Sequence, residues 1–225
     1  MKLLIGNRNY SSWSLRPWLV LKHFDIGFED EVLQLQGEGF RDVLAQRSPT
    51  GRVPVLFDGE LAVVETIAII EYLADLFPDK AIWPADIGQR ALARAAAAEM
   101  HSAFQALRSN APMNLRASHP GKVSRDSVAR DLHRLETLWG GLLAGSGGPF
   151  LFGAFTAADA MFAPVATRIR TYALPVSDVA AGYVEAIYSL PAFQEWLGLA
   201  LHEPWIVDED EIDVMQGRVK PGTLA

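Results

Sequence analysis

Leu3-Leu4-Ile5 form an apolar run inside residues 2–6, bounded by Lys2 and Gly6, and predict a short buried β-strand. Apolar residues then recur at helical spacing, with Leu15, Trp18, Leu19 and Leu21 marking a helix over 13–24. A second strand at 31–35, a short helix at 40–46 and a third strand at 53–57 follow, the last entered through a Pro49-Thr50-Gly51 turn. Asp58-Gly59 is a tight-turn pair, so 60–64 reads as the returning strand of a hairpin. Ile67, Ile70, Leu73, Ala74 and Phe77 share one face of a helix over 66–77, and Pro78 stops it.

Past residue 77 the strand pattern ends. Residues 78–88, with Pro84, read as a linker, and helices are predicted at 89–108, 122–144, 156–172, 178–189 and 191–201. Gly145-Ser146-Gly147-Gly148-Pro149 breaks the second from the third, and the acidic tail around 208–211 is expected to be solvated and loosely ordered. The order β-α-β-α-β-β-α describes an α/β thioredoxin-like domain over 1–77. An all-α helical bundle domain over 89–225 follows it.

A chain of 225 residues that is 50% hydrophobic can bury a sizeable core. No apolar run reaches the roughly 18 residues of a membrane span, and the amino-terminal stretch turns polar too soon for a secretion signal, so a cytoplasmic location is expected. Net charge is −7 and the 20 basic residues are scattered, which argues against nucleic acid as a partner. The absence of cysteine removes disulfides, thiolate metal sites, cysteine nucleophiles and dithiol redox chemistry together. The five histidines show no metal-ligand spacing, Gly37-x-Gly39 lacks the rest of a nucleotide loop, and no metal is expected.

Three constellations carry candidate chemistry. Ser11 and Ser12 lie between the first strand and the first helix, where a serine either caps the helix or presents a hydroxyl to a ligand. Val53-Pro54 opens the third strand. In a thioredoxin-like unit that proline is cis, and Val53 pairs its backbone with an extended peptide-like ligand. Glu65 and Thr66 open the helix at 66–77; they cap it, and they can also read an amino-acid zwitterion, the carboxylate taking an ammonium while the hydroxyl and free backbone N–H groups take a carboxylate. A fourth motif, Thr156-Ala157-Ala158-Asp159, is a capping-box pattern.

The Ser-containing helix start, the stretch Pro49-Thr50-Gly51-Arg52-Val53-Pro54-Val55-Leu56, the Glu65-Thr66 helix opening, Thr156–Asp159 and the helical remainder together resemble the soluble glutathione S-transferases. The likeness is nearest in style to serine-type members such as the maleylacetoacetate isomerases. It implies that glutathione is substrate or cofactor and that Ser11, or its neighbour Ser12, activates the thiol, with Tyr10 a third possibility. Arg52, Val53, Pro54, Glu65 and Thr66 would bind glutathione together with Ser11, and Met100, His101 and Phe104 would line the pocket for a small hydrophobic electrophile. A homodimer acting in detoxification is the family expectation, and a non-catalytic binding protein on the same fold is the alternative.

Overall fold

The computed structural model describes residues 1–37, 39–218 and 220–222. Its first half-chain contains β1 (Lys2–Gly6), α1 (Ser12–His23), β2 (Glu29–Leu33), α2 (Phe40–Arg47), β3 (Val55–Asp58), β4 (Leu61–Val64) and α3 (Thr66–Leu76). The sheet order is β2-β1-β3-β4, with β1 and β2 parallel and the other two pairings antiparallel. β1 is central and covered on both faces, which is why its apolar run is continuous rather than alternating. The β3–β4 hairpin turns at Gly59, whose φ of +58° suits a residue without a side chain.

β2 begins two residues before the expected start. Its early residues are charged, and an edge strand tolerates them: Glu31 pairs with Lys2 and with Arg47 of α2. An apolar search window passes over such a strand.

The remainder is helical: α4 (Ile87–Ser102), α5 (Gln105–Asn110), α6 (Arg125–Ser146), α7 (Ala157–Tyr172), α8 (Asp178–Tyr188) and α9 (Pro191–Leu201), then a 3-10 turn (Asp208–Asp210) and α10 (Ile212–Met215). The single helix expected over 89–108 is two helices. Phe104 takes a left-handed conformation at φ +59° and sets its ring 6.4 Å from Phe162, while Asp131 of α6 accepts the Leu107 N–H at 2.8 Å near the start of α5. No glycine or proline marks this break in the sequence, because tertiary contacts impose it.

α7 is buried on nearly every side and packs against α1, α4 and α8. The stretch before α4 is anchored to it: Ile82 and Trp83 are buried, and the Ile82 carbonyl accepts the Ala157 N–H at 2.8 Å. The carboxy-terminal segment departs from the solvated tail expected of it. Val207 and Ile212 are buried, and its acids have partners: Glu203 meets Arg8, Glu211 meets Tyr10, and Asp213 meets Lys122. The expected helical domain runs on to Val219 and 223–225, which lie outside the described residues.

Candidate functional site

Two fully buried asparagines shape the loop between β1 and α1. The Asn7 carbonyl accepts the N–H groups of Tyr10 at 3.1 Å and Ser11 at 2.8 Å, and its Oδ1 accepts the Leu35 N–H at 2.7 Å. Asn9 donates from Nδ2 to Asn114 at 2.9 Å and accepts the Arg116 N–H at 2.9 Å. Sequence reasoning did not single out either residue. The signal was the pair flanking Arg8 directly after a buried strand, where polar groups must find partners.

This scaffold delivers Ser11 to the start of α1. Ser11 occupies the N-cap position, yet its hydroxyl makes no capping bond; it lies 2.7 Å from the Ser14 hydroxyl one turn on. Ser14 Oγ in turn accepts the Gly6 N–H at 3.1 Å. Ser12, the other candidate, is not the cap but the first helical residue. The Tyr10 hydroxyl is already engaged: it donates to Glu211 at 2.6 Å and accepts from Arg116 at 2.9 Å. Burial and then the Glu211 carboxylate push its pKa up to about 12, so it stays a phenol with its proton committed.

Pro17 sits inside α1 and has no N–H to give the Trp13 carbonyl one turn back. The Thr66 hydroxyl fills that gap by donating to Trp13 O at 3.0 Å. A threonine hydroxyl carries one proton, so the donors left at the start of α3 are backbone N–H groups rather than the side chain. Beside it, Glu65 holds a left-handed φ of +70° that a residue with a side chain rarely adopts. Glu65, Thr66, Val53 and Pro54 line one small cavity of about 170 Å³ with Arg52 and His101. The Val53–Pro54 bond is cis.

An adjoining cavity of about 560 Å³ is lined by Ser11, Ser12, Trp13, Arg52 and Val53, and also by Arg108 and Arg168. The serines and Val53, which lies two residues before β3 rather than in the strand expected from 53, are thus brought together. Of the three residues expected to line the electrophile pocket, only His101 reaches the site, its ring 5.1 Å from that of Trp13. Met100 is fully buried in the helical core and Phe104 is turned onto Phe162, so neither lines these two cavities. Arg108 of α5 lines both cavities, where Met100 and Phe104 do not. Arg41 lies apart, on a depression between α2 and the carboxy-terminal segment.

The arginines are the feature no motif announced. Arg16 is fully buried, donates to the carbonyls of Met161 and Ser12, and stacks on Trp13 at 4.2 Å. Arg108 stacks on the same ring at 4.9 Å. Arg168 is 6% exposed and its Nε has no hydrogen-bond partner. Among the described residues none of the three forms a salt bridge. Burial, followed by repulsion from Arg108, pushes the Arg168 pKa down to about 10. Asp210, at the cavity edge, is pushed up to about 6 by burial against the attraction of Arg168.

A thioredoxin-like unit that places a serine at its first helix start beside a cis-proline strand, followed by a helical bundle, defines the glutathione transferase class of fold. A family model for the glutathione S-transferase N-terminal domain matches residues 10–76. A zeta-class glutathione S-transferase of Euphorbia esula is 33% identical over 157 residues, 68% of each chain. A probable maleylacetoacetate isomerase of Caenorhabditis elegans is 32% identical over 136 residues, 58% of this chain and 62% of that one. A Burkholderia glutathione transferase homolog solved with bound glutathione superposes with a TM-score of 0.68 at 26% identity, covering 88% of this chain and 97% of that one. The chain belongs to the glutathione S-transferase family. It spans about half to two thirds of the length of the curated relatives it matches.

Proposed function

We propose that the chain binds glutathione across the two cavities and uses the thiolate to conjugate or isomerise a small electrophile that carries a carboxylate. The observation that carries this reading is one cavity lined both by Ser11 and by Arg108 and Arg168, two arginines that form no salt bridge among the described residues. The γ-glutamyl end lies at Glu65 and the start of α3, the cysteinyl backbone pairs with Val53, and Arg52 meets the glycyl carboxylate.

A free thiol with a pKa near 8.5 is only a few per cent ionised at neutral pH, so the task is to favour thiolate. A hydroxyl donating to the sulfur contributes about 1.5–3 kcal/mol, or roughly one to two pKa units. The α1 amino terminus, with no acidic residue in its first turn, adds about 0.3–1 kcal/mol. Ser11 acts as donor and keeps its own proton.

Among the described residues Arg108, half-buried, and Arg168, buried, form no salt bridge, and with Asp210 the one carboxylate lining the cavity beside them they leave positive charge there to attract a further anion. A substrate carboxylate held at Arg108 and Arg168 presents its reactive carbon to the sulfur. In conjugation, a carbon–sulfur bond forms as halide leaves. In isomerisation, sulfur adds to a conjugated double bond, the resulting single bond rotates, and elimination returns glutathione unchanged. Of the expected alternatives, a small hydrophobic electrophile or the substrate of a glutathione-dependent isomerisation, this reading favours one that carries a carboxylate. The same reading takes the protein as a cytoplasmic homodimer whose domains divide near residues 78–88, and sedimentation at several concentrations tests the dimer.

Steady-state kinetics with a short 2-halocarboxylate and with a neutral aryl halide test the function. Arg168→Met should raise KM for the halocarboxylate about tenfold or more, as for loss of a charge-assisted hydrogen bond, and change KM for the neutral substrate little. Equal effects on both overturn the carboxylate assignment. No glutathione-dependent turnover of either substrate overturns the enzymatic one.

A further inference from the structure

The Ser11–Ser14 contact has a direction that hydrogen-bond accounting can assign. A serine hydroxyl carries one proton and two acceptor positions. Ser14 is fully buried, and one of its acceptor positions is filled by the Gly6 N–H at 3.1 Å. Among the described residues its one other hydrogen-bond partner is Ser11 Oγ, at 2.7 Å. If Ser11 donated across that contact, the Ser14 proton would be left without an acceptor in a site closed to water, an arrangement buried polar groups avoid. If Ser14 donates, its proton is satisfied, and the proton of Ser11, which lines the cavity, is released toward it.

We propose that Ser14 is a positioning residue of the site: it donates to Ser11 Oγ, and so turns the Ser11 proton toward the sulfur of bound glutathione. The inference rests on the assignment of Ser11 as the group that meets the thiolate. The relay then runs from the Gly6 N–H at the end of β1, through the Ser14 hydroxyl, to the Ser11 hydroxyl and the sulfur. No proton is transferred and no bond is made or broken; each group donates to the next. A donor that itself accepts a hydrogen bond is polarised and donates more strongly, so the buried end of the chain reinforces the open end. Rotor choice follows as well. Without Ser14, the Ser11 hydroxyl is free to swing away from the ligand.

The test is the ultraviolet thiolate band of bound glutathione followed against pH in the full-length protein, for wild type, Ser14→Ala, Ser11→Ala and the double variant. Ser14→Ala should raise the thiol pKa by about half to one unit, while glutathione affinity at pH 5.5, where the thiol is mostly protonated, stays within about twofold. In the Ser11→Ala background the same change should have no further effect, because Ser14 acts through Ser11. Ser14→Thr, which restores a hydroxyl, should return the pKa toward wild type. Should Ser14→Ala fold poorly, Ser14→Cys, which keeps the volume but has only a weak S–H donor, carries the same expectation. A wild-type pKa in Ser14→Ala together with a raised one in Ser11→Ala overturns the relay and leaves Ser11 in place. An additive shift in the double variant overturns it too, and a titration unmoved by every variant overturns the Ser11 assignment and the relay with it.

Discussion

The starts of α1 and α7 are built to the same plan and do opposite work. Each places a hydroxyl residue at the N-cap and a polar residue three positions later, Ser11 with Ser14 and Thr156 with Asp159. At α7 everything points inward. Asp159 accepts the Thr156 N–H at 2.8 Å and its hydroxyl at 3.0 Å, and also the Leu151 N–H and the Tyr183 hydroxyl. The Thr156 proton is therefore consumed inside the fold. At α1 the third helical residue is a serine that has its own proton to give, so the N-cap hydroxyl keeps one for a ligand. A carboxylate at that position makes a structural joint, whereas a hydroxyl makes a binding site.

The comparison breaks most visibly at α7. Asp159→Ala leaves four donors in the core without their acceptor and should cost about 3–5 kcal/mol of stability, read from urea melts. Ser11→Ala in the same assay should cost less than about 1 kcal/mol. An equal loss in both variants would erase the distinction between joint and site.

Asp159 also gives the joint a pH signature. Burial pushes its pKa up to about 6 against the four donors, compared with about 3.9 in an unfolded chain. The folded state thus holds the proton to higher pH than the unfolded one. This contribution to stability is full below about pH 4 and is lost as the pH rises through about 6. The stability difference between wild type and Asp159→Asn should shift against wild type by about 2–3 kcal/mol between pH 4 and 7. A flat difference would show that the donors hold Asp159 near its ordinary value.

On the ligand side the effects are smaller. Glu65→Ala should weaken glutathione binding by about 1.5–3 kcal/mol in calorimetry, as for a lost charge-assisted hydrogen bond, and unchanged affinity would move the γ-glutamyl group elsewhere. Smallest is Ser12→Ala. As the first helical residue with no side-chain bond described, Ser12 should contribute within about 0.5 kcal/mol to stability, and a loss near 1 kcal/mol would restore it as the cap.

The sequence made the scaffold of this site legible and left its electrostatics hidden. Strand and helix periods, the Asp58-Gly59 turn and the Thr156–Asp159 motif are local, and local rules read them. Pro17 leaves the Trp13 carbonyl without its helical donor, but the Thr66 hydroxyl that replaces it lies 53 positions from Trp13, a relation that only the fold supplies. Arg16, Arg108 and Arg168 come from three different helices, and nothing in their spacing announces that they converge. Met100 and Phe104 illustrate the same limit from the other side: Met100 is buried in the core on α4 and Phe104 turns onto Phe162, contacts that the local sequence does not show. The acidic tail read as solvated because its partners Arg8, Tyr10 and Lys122 are remote in sequence.

The most direct test of the central claim is a crystal structure of this protein with glutathione bound. The account predicts the sulfur within about 3.5 Å of Ser11 Oγ, within hydrogen-bond reach for sulfur, with the Ser11–Ser14 contact retained and the Tyr10 hydroxyl still on Glu211. A sulfur held instead by Ser12, by Tyr10 or by backbone N–H groups alone, with Ser11 turned away from it, would contradict the claim.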